Sequence, residues 1–116
     1  MLKQQYKGGI KMTVRLGQLM HVYPDQYEEY ERRHNNLFPE MRKALKEAGA
    51  HNYSIFLDKN TGNLFAYLEV DNIEKYNQIS NSEACKKWWA YMDSIMDTNQ
   101  DQSPVTFDLK EVFHLD

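Results

Sequence analysis

Residues 51–70, HNYSIFLDKNTGNLFAYLEV, decide the predicted fold. Residues 51–58 and 64–70 are rich in aromatic and aliphatic side chains, and the polar segment 59–63 separates them. The asparagines and the glycine of that segment tolerate positive φ angles, which tight turns between strands require. The stretch therefore predicts a β-hairpin near the middle of the chain.

The elements on both sides of this hairpin follow from the spacing of apolar residues, every second residue in a strand and every three to four in a helix. They are a strand at residues 13–23, helices at 24–36 and 40–48, a short helix at 71–79, a longer helix from 82 to 96 and a last strand at 105–115. The order βα(α)ββα(α)β predicts an α+β fold, a ferredoxin-like βαββαβ sandwich in which helices cover one face of an antiparallel sheet.

The length of 116 residues suits a single domain. Residues 1–12 hold lysines, glutamines and adjacent glycines, and we expect them to form a flexible N-terminal extension. They lack the continuous apolar core of a signal peptide, so secretion is not predicted. The folded domain is expected to span residues 13–116.

Charge and composition exclude several classes of protein. Fourteen basic and 17 acidic residues give a formal net charge of −3, which argues against binding to a phosphate backbone. No apolar run approaches the ~20 residues of a membrane helix. The one cysteine excludes an internal disulfide and a thiolate metal cage. We therefore expect a soluble cytoplasmic protein.

The predicted sheet has a face without helices. Tyr53, Phe65 and Tyr67 are large residues that are unlike a fully solvated surface, and we expect them on this face. The sequence therefore predicts a homodimer in which a second copy covers the sheet.

One helix carries a candidate acid–base group. Tyr27, Tyr30 and His34 share a helix face because they are three and seven residues apart. Two interpretations stay open: a packing stripe with a polar edge, or a site that uses the imidazole for proton transfer. Glu31 with His34 forms a single Glu-x-x-His, too few ligands for a metal site, so none is predicted. The other histidines are interpreted as structural: His21, His51 and His114.

Trp88 and Trp89 are the second candidate. Adjacent helical residues point about 100° apart, so at most one lies centrally in the core stripe. Either both tryptophans cover the sheet, or one forms a flat wall for a ligand such as a sugar. Cys85 on the same helix is interpreted as a buried hydrophobe. The sequence has no phosphate loop, Gly-x-Gly-x-x-Gly or Gly-x-Ser-x-Gly, and no cofactor is predicted.

Several segments together resemble the L-rhamnose mutarotase family. Residues 23–35, YPDQYEEYERRHN, followed by Phe38-Pro39-Glu40, are similar to the first helix region of that family. The remaining similar segments are residues 49–58, 88–92, 103–105 and 111–113. The resemblance covers essentially all of residues 13–116 in order, although Asn36 and Phe38 stand where the family is expected to have Pro and Trp.

The resemblance implies a dimeric α/β barrel that interconverts the α and β anomers of L-rhamnose without a cofactor. It implies that His34 is the proton donor. It also implies that four residues contact the sugar: Tyr30, Tyr53, Trp88 and Trp89. Two alternatives from other classes stay open, a dimeric ferredoxin-like monooxygenase and a non-catalytic sugar-binding module.

Overall fold

The computed structural model describes the backbone of residues 5–7 and 10–116 and the side chains of residues 13–116. The first two strands, β1 (Gln5–Lys7) and β2 (Ile10–Met12), pair with each other in a separate antiparallel sheet. The predicted flexibility of residues 1–12, some of which lie outside the described residues, stays a prediction.

The domain is built on a four-stranded antiparallel sheet. Its strands are β3 (Val14–His21), β4 (Ala50–Asp58), β5 (Asn63–Val70) and β6 (Phe107–Leu109). Its helices are α1 (Tyr27–Asn35), α2 (Pro39–Glu47), α3 (Ile73–Asn77) and α4 (Glu83–Met92), with 3₁₀ turns at Pro24–Gln26, Gln78–Asn81 and Asp93–Ile95. The strand order β4-β5-β3-β6 confirms the predicted ferredoxin-like α+β fold.

Two glycines stand where the chain must reverse direction. Gly49 follows α2 with φ +83°, and Gly62 in the β4–β5 hairpin has φ +80°. Both angles are in the left-handed region that glycine adopts without steric cost. A Cβ atom on Gly62 would also lie 2.6 Å from the carbonyl oxygen of Val22. The hairpin therefore packs closely against the end of the first long strand.

The core lies between the sheet and the helices. Along β5 the side chains alternate, so that Leu64, Ala66 and Leu68 are buried under the helices while Phe65 is exposed. The main core cluster joins β3 and β5 to α1, α2 and α4, and its members include Met20, Tyr30, Met41, Leu64, Cys85, Trp88 and Met92. The opposite face of the sheet carries no helix, as the fold class predicts.

Strand β4 contains one extra residue relative to β5. His51 pairs with Glu69, and Ser54 pairs with Tyr67, so three steps along β4 match two along β5. Asn52 takes a φ of +49° at this point. This is a β-bulge, which leaves one residue unpaired and breaks the regular alternation of side chains.

Tyr53 lies on the covered face of the sheet. Ser54 and Phe56 pair with the open-face residues Tyr67 and Phe65, so Tyr53 alternates onto the covered face with Ile55 and lines the cavity there, close to Cys85 of α4. The expectation that Tyr53 shares the open face with Phe65 and Tyr67 is therefore wrong for Tyr53. The strand has large apolar residues on both faces, so its pattern does not show which face the helices cover, and the bulge instead shifts His51 to the open face beside Glu69.

The last strand is shorter than predicted. The alternating pattern of residues 105–115 predicts a long strand, but β6 covers only Phe107–Leu109. The register that pairs Gly17 with Leu109 continues as a side-chain ion pair, with Arg15 Nε 2.6 Å from Glu111 Oε1. The backbone pairing ends at Leu109 although β3 extends to Val14, and the residues that follow Leu109 are exposed.

Candidate active site

A cavity of about 1170 Å³ lies between the helices and the covered face of the sheet. Side chains of α1, α2, α4 and β4 form its walls. Its volume exceeds the usual range of roughly 300–1,000 Å³ for small-molecule sites, so a monosaccharide would fill only part of it. Polar and aromatic groups gather in one region of this cavity, and that region is the candidate active site.

Helix α1 forms one wall of the cavity. The three residues that the sequence predicts to share one face of this helix all line the cavity: Tyr27, Tyr30 and His34. The Tyr30 ring is buried in the core cluster and stacks on His34, with ring centroids 4.3 Å apart. The same face thus serves both in packing and in the cavity, so the two interpretations of this spacing are not exclusive.

The backbone of α1 fixes the orientation of the His34 imidazole. Its Nδ1 atom lies 3.0 Å from the carbonyl oxygen of Tyr30. A carbonyl oxygen only accepts, so Nδ1 carries the hydrogen and Nε2 is the nitrogen that gains or loses a proton. Among the described residues, Nε2 has no hydrogen-bond partner. Burial lowers the pKa of His34, and the hydrogen bond to Tyr30 opposes this effect.

The two tryptophans have different surroundings. Trp88 is 7% exposed and meets the His34 ring edge to face, at 5.2 Å between centroids. Phe38 contacts the other side of Trp88 at 5.1 Å. Trp89 is half-buried and also lines the cavity. Trp88 therefore forms the wall beside the imidazole, and Trp89 lies further towards solvent.

The phenols of Tyr30 and Tyr53 stay protonated near neutral pH. Burial raises the pKa of both groups, and the neighbouring Tyr53 adds to the effect on Tyr30. Each hydroxyl can therefore donate one hydrogen bond and accept others. The structure thus brings all five predicted site residues to one cavity: Tyr30, His34, Tyr53, Trp88 and Trp89.

Sequence reasoning missed Tyr76, which lines the same cavity from α3. A five-residue helix gives too short a pattern to show which way its side chains point. Cys85 also lines the cavity, and burial raises the pKa of its thiol to about 11. Its thiol is therefore uncharged, which agrees with its interpretation as a buried hydrophobe.

The other histidines hold polar partners elsewhere. His21 lies 3.0 Å from Asp97 and from the carbonyl oxygen of Thr61. At the edge of the cavity, His51 lies 3.0 Å from Asp71.

Within residues 13–116, no group of three or more His, Cys, Asp or Glu side chains is placed to hold a metal ion. No helix in the described part of the chain is long and apolar enough to span a membrane.

The fold and the cavity together define a ferredoxin-like α+β protein with a histidine held between aromatic rings. A family model described as L-rhamnose mutarotase matches residues 15–115, and the chain belongs to this family. The L-rhamnose mutarotase of Ligilactobacillus salivarius is 71% identical over 108 residues, covering 90% of this chain and 100% of that protein. The corresponding protein of Bacillus subtilis is 54% identical over 102 residues, covering 88% and 98%.

Solved structures agree with this assignment. The crystal structure of an L-rhamnose mutarotase from Formosa agariphila superposes with a TM-score of 0.83 at 40% identity, covering 89% of this chain and 99% of that one. A putative antibiotic biosynthesis monooxygenase from Nitrosomonas europaea gives a TM-score of 0.60 at 9% identity, covering 87% and 91%. At that identity the second likeness reports the fold alone, so it does not favour the monooxygenase alternative.

Proposed function

We propose that the protein interconverts the α and β anomers of L-rhamnose. Membership of the L-rhamnose mutarotase family supports this function. The observation that carries it is the imidazole of His34, which has one nitrogen held by the helix backbone and the other left for a ligand between Tyr30 and Trp88.

The reaction needs only proton transfers. A proton leaves the anomeric hydroxyl while another reaches the ring oxygen, and the bond between C1 and the ring oxygen breaks. The open-chain aldehyde rotates about the C1–C2 bond, and the ring closes on the other face by the reverse transfers. No electron is gained or lost, so general acid–base groups are sufficient and no cofactor takes part.

His34 is assigned as the group that protonates the ring oxygen, through Nε2. Burial lowers its pKa, which reduces the protonated fraction at neutral pH but makes that fraction a stronger acid. Tyr30, or a water that it holds, is assigned to the proton of the anomeric hydroxyl. The stacking of Tyr30 on His34 supports the assignment, because it places both groups at one end of the cavity.

The remaining residues are assigned to binding the sugar. Trp88 and Trp89 offer apolar surfaces for the C–H face of the ring and for the 6-methyl group. The hydroxyl groups of Tyr30 and Tyr53 are available for sugar hydroxyls, because neither has a hydrogen-bond partner among the described residues.

A second copy of the chain is the proposed partner of the open sheet face. Phe56 is 66% exposed and lies opposite Phe65 in the strand register. The C-terminal segment adds further exposed apolar side chains: Val112, Phe113 and Leu115. Contiguous apolar surface of this kind is typical of an interaction site. A cytoplasmic homodimer with L-rhamnose as its small-molecule ligand completes the proposal.

Saturation-transfer NMR on the anomeric protons of L-rhamnose tests the activity. We expect the exchange rate to rise in proportion to the protein concentration, and His34→Ala to reduce the enzyme-dependent rate by roughly 10²–10⁴-fold. His114→Ala is the matched control, because it removes an exposed imidazole that does not line the cavity. Line broadening at the spontaneous exchange rate would instead identify a sugar-binding module. A folded His34→Ala protein with full activity would exclude the acid role.

A further inference from the structure

We propose that Tyr76 is a specificity residue of this cavity, and that its hydroxyl hydrogen-bonds a sugar hydroxyl on the side of the ring remote from the anomeric carbon. This inference rests on the proposed function, since it concerns how the same cavity holds the same sugar. It adds a contact that lies outside the set of residues predicted from the sequence.

The ring of Tyr76 has a fixed position. Helix α3 is capped by Asn72, whose side chain accepts the backbone N–H of Lys75 at 2.8 Å. The backbone N–H of Tyr76 donates to the carbonyl oxygen of Asn72 at 2.9 Å. The aromatic ring packs against the smaller core cluster, which consists of Leu16, Leu68, Val70 and Ile73. The ring is therefore anchored on one side and lines the cavity on the other.

The three phenols of the cavity follow one another. Burial raises the pKa of Tyr76, and the neighbouring Tyr53 phenol and Cys85 thiol raise it further. The pKa of Tyr30 is raised by burial and by the same Tyr53. Tyr53 is thus a neighbour of both phenols. Tyr30 packs in the main core cluster with Met20 and Leu64, whereas Tyr76 packs against Leu16 and Leu68, four residues further along the same pair of strands. Because Tyr30 stacks on His34, Tyr76 lies at the end of this row of phenols away from the imidazole.

The hydroxyl of Tyr76 is free to bind a ligand. It has no hydrogen-bond partner among the described residues, and it is not among the fully buried unpaired atoms. A polar atom that is partly desolvated without a protein partner gains from any ligand group that can pair with it. A phenol can donate to a sugar hydroxyl and also accept from one.

The position in the row predicts which part of the sugar Tyr76 contacts. His34 is assigned to the ring oxygen, which is bonded to the anomeric carbon. A group at the other end of the row reaches the secondary hydroxyls, which do not change during the reaction. The contact is then equally strong in the ground state and in the transition state, so it affects KM and leaves kcat unchanged.

Tyr76→Phe tests the proposal, because it removes one oxygen and keeps the packing of the ring. We expect KM for L-rhamnose to rise about three- to tenfold with kcat retained, the usual effect of one neutral hydrogen bond. Tyr23→Phe is the matched control, because the same atom is removed from a side chain that does not line the cavity.

Deoxygenated sugars give a second measurement. Two sugars are compared on the same protein, so a difference in the stability of the variant does not affect the result. L-rhamnose lacking the hydroxyl at C2, C3 or C4 is compared with L-rhamnose on both proteins. One of these sugars is expected to lose about three- to tenfold in kcat/KM with the wild-type protein and to lose nothing with Tyr76→Phe.

The outcomes separate this inference from the function on which it rests. If the wild-type protein does not accelerate anomer exchange, the proposed function fails and the Tyr76 contact fails with it. If the wild-type protein is active but Tyr76→Phe has an unchanged KM and the same deoxysugar penalties, only the Tyr76 assignment is overturned. A fall in kcat at constant KM also overturns it, since it would place Tyr76 in the chemical step.

Discussion

The Nδ1 atom of His34 lies 3.0 Å from the carbonyl oxygen of Tyr30, one turn earlier in the same helix. This bond decides which nitrogen of the imidazole is available, because a carbonyl oxygen accepts in either charge state of the ring. Since the two residues also stack, the bond fixes Nε2 relative to a phenol. The proposed acid–base group is therefore oriented by the backbone of helix α1, through a carbonyl oxygen in place of a carboxylate.

The pH dependence of the reaction follows from the burial of His34. Burial disfavours the charged imidazolium, so its pKa lies below the ordinary value of 6.5. If protonated Nε2 is the acid, the enzyme-dependent rate is constant below this lowered pKa and falls about tenfold per pH unit above it. Saturation-transfer NMR between pH 4.5 and 8, after subtraction of the spontaneous rate, measures the profile. A rate that rises with pH through the region below 6.5 would contradict the acid role and make Nε2 the base.

Most of the fold could be predicted, because its elements have strong local signals. Strand β5 alternates buried and exposed residues, and Gly49 ends α2 at the predicted position. The end of the last strand could not be predicted. Residues beyond Leu109 alternate as a strand does, but alternation does not show whether a neighbouring strand pairs with them, and β3 makes no described backbone pairing there although it extends to Val14.

The site could be predicted where its residues share one helix. The spacing of Tyr30 and His34 alone places them on one face. Tyr53 shares a face with Ile55 by simple alternation, but β4 has large apolar residues on both faces, so periodicity does not reveal which face the helices cover. The position of Tyr76 depends on how a five-residue helix docks against the sheet, and this is set by tertiary packing.

Substitutions of the two tryptophans are expected to lower the stability of the protein by different amounts. Trp88→Phe should lower the free energy of unfolding by about 1–2 kcal/mol, because the smaller ring leaves space in the core. It also loses the edge contact with His34. Trp89→Phe should cost less than about 1 kcal/mol, since Trp89 is only half-buried. Urea denaturation of both variants measures the difference, and equal losses would contradict it.

The bulge in β4 gives a prediction about Tyr53. Asn52→Val should lower the free energy of unfolding by about 1–2 kcal/mol more than Asn52→Gly, because a β-branched residue is strained at φ +49°. Both variants lose the hydrogen bond from Asn52 to Glu69, so the comparison isolates the backbone conformation. We also expect a higher KM for L-rhamnose in the valine variant alone. Identical behaviour of the two variants would show that the bulge does not position Tyr53.

Arg33 joins the helices that carry His34 and Trp88. Its Nη1 donates to the carbonyl oxygen of Tyr91 at 2.5 Å, and its Nε donates to Glu29 at 2.7 Å. The guanidinium carbon also lies 4.3 Å from the centre of the Tyr91 ring.

A lysine cannot make these three contacts at once. Arg33→Lys should therefore lower the free energy of unfolding by about 1–2 kcal/mol, and it should reduce kcat because helix α1 is less firmly held against α4. Arg32→Lys is the comparison, since Arg32 binds the same Glu29 and also interacts with the Tyr91 phenol but is exposed, and it should cost less than about 0.5 kcal/mol. Thermal denaturation and anomer exchange measure both effects. The same loss in both variants would exclude a specific role for Arg33.

The open sheet face is tested by placing a charge on its edge strand β4. Phe56 is largely exposed in one chain, so Phe56→Glu should leave the folded chain intact, whereas the same charge would be buried in a dimer. Sedimentation is expected to show a dimer for the wild-type protein and a chain of 13.8 kDa for the variant. Gln100→Glu adds the same charge to an exposed loop and should stay dimeric.

A monomeric wild-type protein would contradict the proposed partner, and so would a Phe56→Glu variant that remains a dimer. Phe56 also reaches the edge of the cavity, so Phe65→Glu is the variant for activity, because Phe65 lies on the same open face and does not line the cavity. A loss of anomer exchange that accompanies dissociation of Phe65→Glu would mean that the dimer holds β4, and with it Tyr53, in place.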